Sequence, residues 1–475
     1  LLASSSATVE CSRLGTSVDG TVDLGNNAAG VIITAANNTV RTSLISGNND
    51  DGIRITGVSA TGNLIQNNII GLNAAGTAAI ANNDDGVVIT QAGQNIIEGN
   101  IISGQTGANA DGVYILATGA TNNIVRGNYI GTDITGTVDL GNARYGVRLE
   151  AGADYTVIGG TSATARNVIS GNNSQGVALT AVNWSVIAGN YIGVSATGAS
   201  ALLNTLDGIL ISATSASNSI LNNVISGNGE RGIELSNGDI RYTTIQGNII
   251  GLNASGTAVI PNGTGAGSDD QGIALAGNAT QGSVFTLIGG TSATVRNIIS
   301  GNTSDGVYIS GSYSTSNTIQ GNYIGTDITG TIDLGNSNDG IEIQSSSNTI
   351  VGNVVSGNNA IGVRISTVAA TDNIVRDNYI GTDISGTLDV GNTQDGIDVQ
   401  AASNTIESNV VSGNNGAGIR LSVAGAVNNI VRNNYLGMDV TGMLALGNNN
   451  DGLDIRSGNN TISGNVITGN NANGI

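Results

Sequence analysis

Apolar and polar positions alternate with a period of two in short segments that recur along the whole chain. Each segment starts with glycine, followed by an aliphatic residue, a variable residue and a second aliphatic residue, as in 340–343, Gly-Ile-Glu-Ile. This alternation is typical of a β-strand with one buried face. Two further short strands are predicted at 348–351 and 353–358, separated by Asn-Gly and Gly-Asn pairs that tolerate positive φ. The pattern therefore predicts an all-β protein.

The glycines that start these segments, here called marker glycines, define a repeat. Those at 340, 362, 396, 418, 452 and 474 are separated alternately by 22 and 34 residues. Three short strands in each 22-residue coil, all running in the same sense, predict a single-stranded parallel β-helix of about 16 coils. It is predicted to be right-handed, because parallel crossovers are right-handed in about 98% of cases. The uniform repeat predicts one continuous β-helix over 1–475, interpreted as a segment of a longer repetitive chain or as a filament subunit.

The longer spacing arises from a conspicuous motif, GNYIGTDITGTIDLGN at 321–336. Its recognisable copies lie at 11–26, 67–82, 127–142, 189–204, 247–262, 321–336, 377–392 and 433–448. The portion 325–336 is 12 residues long, which equals the difference between the two spacings. Every second coil is therefore predicted to carry a 12-residue loop, and the loops should form a row on one side of the solenoid.

The loop motif contains regularly placed carboxylates that are candidate metal ligands. They are Asp133, Asp139, Asp327, Asp333, Asp383 and Asp389. Oxygen-rich loops can hold calcium, which takes six to eight oxygen ligands. The alternative is that each short side chain caps the backbone of its own loop. Capping is favoured, because the copies at 67–82, 189–204 and 247–262 contain no acid in the loop.

Stacked coils should place equivalent residues above one another in columns. One outward column is predicted to run Glu342, Arg364, Asp398, Arg420 and Asp454, with alternating charge that would fix the register of the strands. The asparagines at 322, 353, 378, 409, 434 and 465 are predicted to form a hydrogen-bonded ladder. Tyrosines recur at 129, 191, 323, 379 and 435. They would either stack on sugars or shield the bases of the loops, and shielding is favoured.

Composition excludes several classes of partner. The chain has no histidine, all its basic residues are arginine, and its net charge is −19, which disfavours nucleic acid and anionic membrane surfaces. No apolar run approaches the roughly 18 residues needed to span a bilayer, so no membrane insertion is predicted. The single cysteine, Cys11, cannot form an intrachain disulfide. A lysine-free chain rich in Asn, Thr and Gly is typical of an exported protein, and we expect an extracellular or cell-surface location.

The GI-x-I strands, the N-x-I-S-G-N turns and the 22-residue period resemble the parallel β-helix repeat of the pectate-lyase-like superfamily. The combination of GNYIGTDITGT-x-DLGN with IGGTSATARNVISGN is similar to arrays in very large repetitive bacterial cell-surface proteins. The resemblance extends over essentially the whole chain and implies a fold, whereas the superfamily includes lyases, hydrolases, epimerases, tailspikes and adhesins. Its polygalacturonase-like and alginate-epimerase-like branches use Gly-His-Gly and Asp-Pro-His segments. The absence of histidine excludes both in their usual form.

Three hypotheses about function follow. The first is a non-enzymatic β-helical module of an extracellular or cell-surface fibre, stalk, adhesin or sheath, with end-to-end self-association, no catalytic residues and no cofactor. The second is a calcium-dependent polysaccharide lyase, for which the resemblance implies clustered acids and a basic residue. Its candidate is Asp269-Asp270, in the longest irregular insertion; the pairs Asp50-Asp51 and Asp84-Asp85 are interpreted as repeat variants because they directly precede marker glycines. The third is a glycan-binding surface.

Overall fold

A computed structural model describes residues 1–265 and 270–475. The chain forms two compact units, Leu1–Glu230 and Arg231–Ile475, which are described in turn. Within the described residues the helical structure is a single 3₁₀ turn, Ala163–Ala165, and no helix there is long and apolar enough to cross a membrane. The prediction that 1–475 is one continuous β-helix stays a prediction.

The first unit contains three parallel sheets, numbered by their order within a coil. The strands of sheet 1, which follow the marker glycines, are Val31–Ile33, Ile53–Thr56, Val87–Thr90, Val113–Leu116, Val147–Glu150, Val177–Thr180 and Ile209–Ser212. Sheet 2 consists of Thr8–Glu10, Thr39–Arg41, Leu64–Gln66, Ile96–Glu98, Ile124–Arg126, Val157–Gly159, Val186–Ala188 and Ser219–Leu221. Sheet 3 consists of Arg13–Leu14, Leu44–Ile45, Ile69–Ile70, Ile101–Ile102, Tyr129–Ile130, Val168–Ile169, Tyr191–Ile192 and Val224–Ile225. One short strand, Ser215–Ala216, lies in the turn between sheets 1 and 2.

The second unit repeats this plan. Its sheet 1 strands are Ile233–Ser236, Ile273–Ala276, Val307–Ser310, Ile341–Ile343, Val363–Ile365, Ile397–Val399, Ile419–Leu421 and Leu453–Ile455. Its sheet 2 strands are Thr244–Gln246, Leu287–Gly289, Thr318–Gln320, Thr349–Val351, Ile374–Arg376, Thr405–Glu407, Ile430–Arg432 and Thr461–Ser463. Its sheet 3 strands are Ile249–Ile250, Ile298–Ile299, Tyr323–Ile324, Val354–Val355, Tyr379–Ile380, Val410–Val411, Tyr435–Leu436 and Val466–Ile467. Two short strands in turns, Ile240–Arg241 and Ser283–Val284, pair with each other.

Within each unit, each strand pairs in parallel with the equivalent strands of the adjacent coils. In the first unit Val113 lies between Val87 and Val147, and in the second Ile341 pairs with Val363. This topology is a right-handed parallel β-helix, and the two units together hold about 16 coils. The predicted fold class is confirmed.

The interior of each unit is built from the fixed aliphatic positions of the repeat. The residues on either side of the variable position, such as Ile53 and Ile55, are fully buried, whereas Arg54 between them is partly exposed. The middle residue of each sheet 2 strand and the second residue of each sheet 3 strand also point inward, as Val125 and Ile130 do. The period-two pattern therefore records which face of each strand meets the core.

The marker glycines allow the turn into sheet 1 to pack closely on the coil. A Cβ atom added to Gly340 would lie 2.5 Å from Cγ1 of Val355 and 2.7 Å from the carbonyl oxygen of Gly362. Both distances are shorter than a van der Waals contact, so any side chain here would separate stacked coils. This close approach explains why the marker is glycine.

Asparagine ladders join the coils at their turns, as predicted. The backbone N–H and side-chain amide of Asn322 both donate to Oδ1 of Asn353, at 2.9 and 3.0 Å, and Asn353 contacts Asn378 in the same way. Two further ladders pass through Asn348 and Asn358. Since a buried polar group without a partner is costly, each ladder holds stacked turns in one register.

The predicted charge column has the expected register, but its arginines also reach carboxylates outside it. The sheet 1 column does run Glu342, Arg364, Asp398, Arg420 and Asp454. Arg364 contacts Asp339 at 3.1 Å, and Arg420 contacts both Asp395 at 2.6 Å and Asp454 at 3.1 Å. Asp339 and Asp395 directly precede marker glycines, a position that the prediction did not include. The arginine side chain is long enough to reach several carboxylates, so the alignment of Cα positions in a column does not determine its partner.

Candidate functional site

The 12-residue loops leave the coils after sheet 3. Each loop closes on itself through an antiparallel bridge, such as that between Thr132 and Asp139. In the second unit the loop Gly381–Asn392 takes the place of Ser412–Asn414 in the next coil, and Asn392 and Asn414 belong to the same ladder. The last asparagine of the motif is thus a core residue. The loop thus replaces a short segment of the next coil and does not add all of its residues to the coil length. The rest of the difference in length between the two coils lies in the turn between sheets 1 and 2.

The first aspartate of the loop caps the loop backbone. Oδ1 of Asp327 accepts hydrogen bonds from the N–H groups of Thr331 and Ile332, both at 3.1 Å, and the Thr329 hydroxyl donates at 2.8 Å. Asp133 and Asp383 make the same contacts in their loops. Although burial raises the pKa of Asp327, these hydrogen bonds outweigh it and hold that pKa below its usual value. The pKa values of Asp133 and Asp383 are lowered in the same way.

Neutral residues fill the same position in other loops. Oδ1 of Asn253 accepts from the N–H of Thr257 at 2.9 Å, and Asn73 accepts from Thr77 at 2.9 Å. Because an amide makes the same bonds without a charge, this position serves the loop conformation in those copies.

The second aspartate of the loop caps the turn that returns to the coil. Oδ1 of Asp139, Asp333 and Asp389 each accept the N–H of the glycine two residues further on, at 2.9 Å. Burial raises the pKa of Asp139. The six predicted calcium ligands therefore have structural partners, and none of them belongs to a group of three neighbouring carboxylates within the described residues. Calcium binding itself stays a prediction.

Successive loops are bonded to one another within each unit. The N–H of Ile134 donates to the carbonyl of Gly76 at 2.9 Å, and the N–H of Ala196 donates to Gly136 at 2.8 Å. In the second unit Ile384 donates to Gly330 at 3.0 Å. The loops thus form a hydrogen-bonded ridge along each unit. Aliphatic side chains at one position of the ridge, Ile332, Leu388 and Leu444, are exposed.

The recurring tyrosines lie beneath this ridge. Tyr323 is buried with Leu252, Ile298 and Val354, and loop residues Leu334 and Ile384 pack against this cluster. The guanidinium of Arg296 lies 3.9 Å from the centre of the Tyr323 ring, and Arg166 lies 4.0 Å from that of Tyr191. These contacts match the shielding interpretation and leave little of the Tyr323 ring for a sugar.

Buried carboxylates directly before the marker glycines form a column that the sequence interpretation treated as repeat variation. In the first unit the N–H of Asp85 donates to Oδ1 of Asp51 at 3.2 Å, and the N–H of Asp111 donates to Oδ1 of Asp85 at 2.8 Å. In the second unit Asp339 donates to Asp305 at 3.0 Å. Each carboxylate thus accepts a backbone hydrogen bond from the next coil.

Burial shifts the proton affinity of this column. It raises the pKa of Asp85 to about 9, helped by the charge of Asp111, and that of Asp305 to about 7, helped by Asp339. Burial also raises the pKa values of Asp51, Asp111 and Asp339 to about 6, although hydrogen bonds and arginines oppose it. These shifts arise because stacked carboxyls leave water and repel one another.

Among the residues that the structure describes, two groups of three carboxylates have oxygen atoms within 4.8 Å of one another: Asp50 with Asp51 and Asp84, and Asp305 with Asp339 and Glu342. Arg54 contacts two carboxylates of the first group, at 2.8 Å from Asp50 and 2.6 Å from Asp51. Arg364 approaches the second through Asp339. In the sequence candidate Asp269-Asp270, Asp269 lies outside the described residues.

Two exposed pairs of stacked aromatic rings were not predicted from the sequence: Tyr155 with Trp184, and Tyr242 with Phe285. Alignment of the turns before sheet 2 would have revealed them, since the equivalent residues in other coils are small or polar.

The fold and its ladders define a parallel β-helix repeat protein. Residues 128–267 match the family model described as periplasmic copper-binding protein (NosD), which is less than a third of the chain. None of the curated proteins matches the chain.

Several solved structures are similar to the chain at low identity. The Dettilon tailspike protein (gp208) has 17% identity over 78% of this chain and 62% of the tailspike, with a TM-score of 0.41. The chain thus spans less than two thirds of that protein. The periplasmic alginate epimerase AlgG has 12% identity over 85% of this chain and 76% of the epimerase, with a TM-score of 0.39. Pectate lyase Pel9A has 14% identity over 64% and 70%, with a TM-score of 0.35.

The residues of the matched segment do not fit a copper site. Copper in proteins is bound by imidazole, thiolate or thioether ligands. The chain has no histidine, its cysteine is Cys11, and its two methionines are Met438 and Met443, all outside 128–267. The matched segment therefore offers no ligand of these kinds for copper.

Proposed function

We propose that the chain is a non-enzymatic structural module of an extracellular or cell-surface fibre, stalk, adhesin or sheath, able to associate end to end. The observation that carries the proposal is a continuous asparagine ladder in the second unit, which passes through Asn322, Asn353, Asn378, Asn409, Asn434 and Asn465. Each asparagine of this ladder accepts the side-chain amide of its equivalent in the preceding coil, as Asn378 does from Asn353 and Asn409 does from Asn378. Further coils, from the same chain or from another copy, extend such a stack without a new kind of contact.

The polar groups of the repeat act within the stack. The loop aspartates bind their own backbone, the aspartates before the marker glycines accept N–H groups of the next coil, and the tyrosines pack beneath the loops. Because these groups bond to other parts of the stack, their arrangement supports a structural role for the repeat. The lysine-free, strongly acidic composition and the periplasmic description of the matched family model support a location outside the cytoplasm.

Electron microscopy and sedimentation of the purified chain test end-to-end association. A compact globular domain fused after Ile475 would cover the last coil, whereas the same domain inserted at the exposed Met443 would leave that coil free. We expect filaments that lengthen with protein concentration, are shortened by the terminal fusion and persist with the loop insertion. Single particles at every concentration, or equal effects of both fusions, would contradict end-to-end stacking.

The second candidate function is a calcium-dependent polysaccharide lyase. Asp305, Asp339 and Glu342 favour it, because they gather carboxylate oxygens within 4.8 Å beside Arg364. Incubation with polyuronates and calcium, following the absorbance of the unsaturated product, separates the two functions. Product formation by the wild type that is lost in Glu342→Gln would replace the structural proposal. No product from any polyuronate would remove the lyase.

A further inference from the structure

In the turn between sheets 1 and 2, the residue two positions before the sheet 2 strand has a positive φ in every coil. We call these residues the turn column. In the first unit they are Ser6, Asn37, Gly62, Gln94, Asn122, Tyr155, Trp184 and Ser217. In the second they are Tyr242, Phe285, Ser316, Ser347, Asp372, Ser403, Asn428 and Asn459. Their φ angles lie between 52° and 66°.

Four members of the turn column are aromatic, against the preference of this conformation. The left-handed region favours Gly, Asn and Asp, and bulky residues there are outliers. Trp184 has a φ of 52° and Phe285 of 58°, whereas the next members of the column, Ser217 and Ser316, show that the turn needs no large side chain. A bulky residue in this backbone conformation costs strain energy, which indicates that its side chain has a role.

The aromatic rings stack in two pairs on the surface. The ring centres of Tyr155 and Trp184 lie 5.1 Å apart with an angle of 7° between the planes. Those of Tyr242 and Phe285 lie 5.2 Å apart at 8°. Each of the four side chains is about half exposed, between 48% and 55%. Aromatic residues make up only 3% of the chain, so two exposed pairs of them at one position of the repeat are not expected from the composition.

Small and polar residues border each pair. Trp184 is followed in the column by Ser217, and Phe285 by Ser316, so the outer ring faces are not covered by a large neighbour in the column. Next to Tyr242, the exposed Arg241 binds Asp239 at 2.9 Å. Next to Tyr155, Asp154 accepts the N–H of Asn183 at 2.7 Å. Each platform therefore combines an apolar ring face with hydrogen-bonding groups at its edge.

This combination fits a sugar ring. A hexopyranose presents C–H groups on its face and hydroxyls around its rim, which match an aromatic face with polar neighbours. Nucleic-acid bases also stack on aromatic rings, but such sites need a basic groove along the backbone, and this chain has a net charge of −19. We propose that Tyr155–Trp184 and Tyr242–Phe285 are two carbohydrate-binding platforms, each taking one hexopyranose unit of a polysaccharide on an outer ring face.

The proposal is independent of end-to-end stacking and can be tested at one site directly. Trp184 is the only tryptophan in the chain, so tryptophan emission reports on the first platform alone. The full chain is titrated with cello-, chito- and malto-oligosaccharides, and binding is measured in parallel by calorimetry. We expect at least one series to shift the emission saturably.

Serine substitutions separate binding from folding, because serine already occupies this position in neighbouring coils. Trp184→Ser and Phe285→Ser should each weaken binding at their own platform on the order of tenfold, with unchanged circular dichroism. Tyr313→Ser removes a tyrosine of similar exposure outside the turn column and should leave binding unchanged. Equal losses in Tyr313→Ser, no response to any sugar, or a response to oligo(dT) instead of sugars would overturn the proposal.

Discussion

The backbone N–H of Asp111 donates a hydrogen bond of 2.8 Å to Oδ1 of Asp85, and both carboxyl groups are buried. A carboxyl that stacks on another carboxyl is easier to bury with its proton than without it. Burial raises the pKa of Asp85 to about 9, far above the value of 3.8 expected for the unfolded chain. The stacking of the buried aspartates that precede the marker glycines therefore makes the stability of the fold depend on pH.

We predict that stability falls as the pH rises from about 4 to 9. In this window the folded state keeps a proton on Asp85 that the unfolded state has lost, and the raised pKa of Asp305 acts with the same sign. Asp85→Asn keeps the acceptor and removes the charge, so it should be more stable than wild type at pH 8 and show a flatter pH profile. Urea unfolding between pH 5 and 9 measures both effects.

The exposed Asp372 supplies the matched control for Asp85. Asp372→Asn should leave the pH profile of unfolding unchanged. A wild-type stability that rises between pH 5 and 9 would contradict the predicted protonation of the column.

The loop caps should respond to acid in the opposite sense. The pKa of Asp327 lies below its usual value, so its contribution to stability is present above about pH 4 and is lost as the pH falls through the folded-state pKa. At neutral pH Asp327→Ala removes an acceptor of two N–H groups and should cost about 1–3 kcal/mol. Asp327→Asn should cost much less, since Asn253 makes these bonds in its own loop. Equal costs for the two variants in urea unfolding would contradict the capping role.

Calcium should not change the stability of the loops. Their aspartates already accept hydrogen bonds from the backbone, as Asp133 and Asp139 do. Melting temperatures in millimolar calcium and in EDTA are therefore expected to agree. A rise with calcium that disappears in Asp133→Asn would show that the loops bind the ion.

Adjacent asparagines allow a controlled test of the ladders. Asn414 donates to Asn448 at 2.9 Å and accepts from Asn392 at 2.9 Å, whereas Asn415 is exposed. Asn414→Ala leaves several buried groups without partners, each worth about 1–3 kcal/mol, so we expect a loss on the order of 3 kcal/mol. Asn415→Ala should change the free energy of unfolding by about 0.5 kcal/mol or less. Similar effects of the two substitutions would show that the ladders contribute little.

Glycine-to-alanine substitution should have opposite effects on stability at a marker glycine and at a glycine with free space around it. Gly340→Ala places a methyl group 2.5 Å from Val355 and should destabilise by about 1–3 kcal/mol. A methyl group at Gly425, which has no positive φ, would meet no atom within 4 Å. Gly425→Ala should therefore be neutral or stabilise by about 0.4–1 kcal/mol, through a less flexible unfolded chain. Calorimetric melting temperatures that move in the same direction would refute this account.

Most of the fold could be predicted from the sequence because a solenoid turns spacing into geometry. Since each coil stacks on its equivalent, the separation of marker glycines gives the register, and the pairing of Ile341 with Val363 follows directly. The alternation of aliphatic positions gives the buried face, and recurring asparagines such as Asn353 give a ladder. The row of loops follows from the same count.

The partners of the side chains and of the loops were decided by the tertiary structure. Sequence columns place Arg364 beside Glu342, but the guanidinium reaches Asp339 at 3.1 Å, because the side chain of arginine is long enough to leave its own column. The hydrogen bonds between loops, such as Ile134 to Gly76, join alternate coils and have no signature in the motif.

The sequence by itself thus determined the period, the strands, the buried faces and the position of the loops, since these depend on local alternation and repeat length. Only the tertiary structure decided that Asp85 is buried on Asp51, and that Tyr155 stacks on Trp184 with both rings exposed. Burial and stacking arise when distant segments come together, and their energies depend on the water that those contacts exclude or leave.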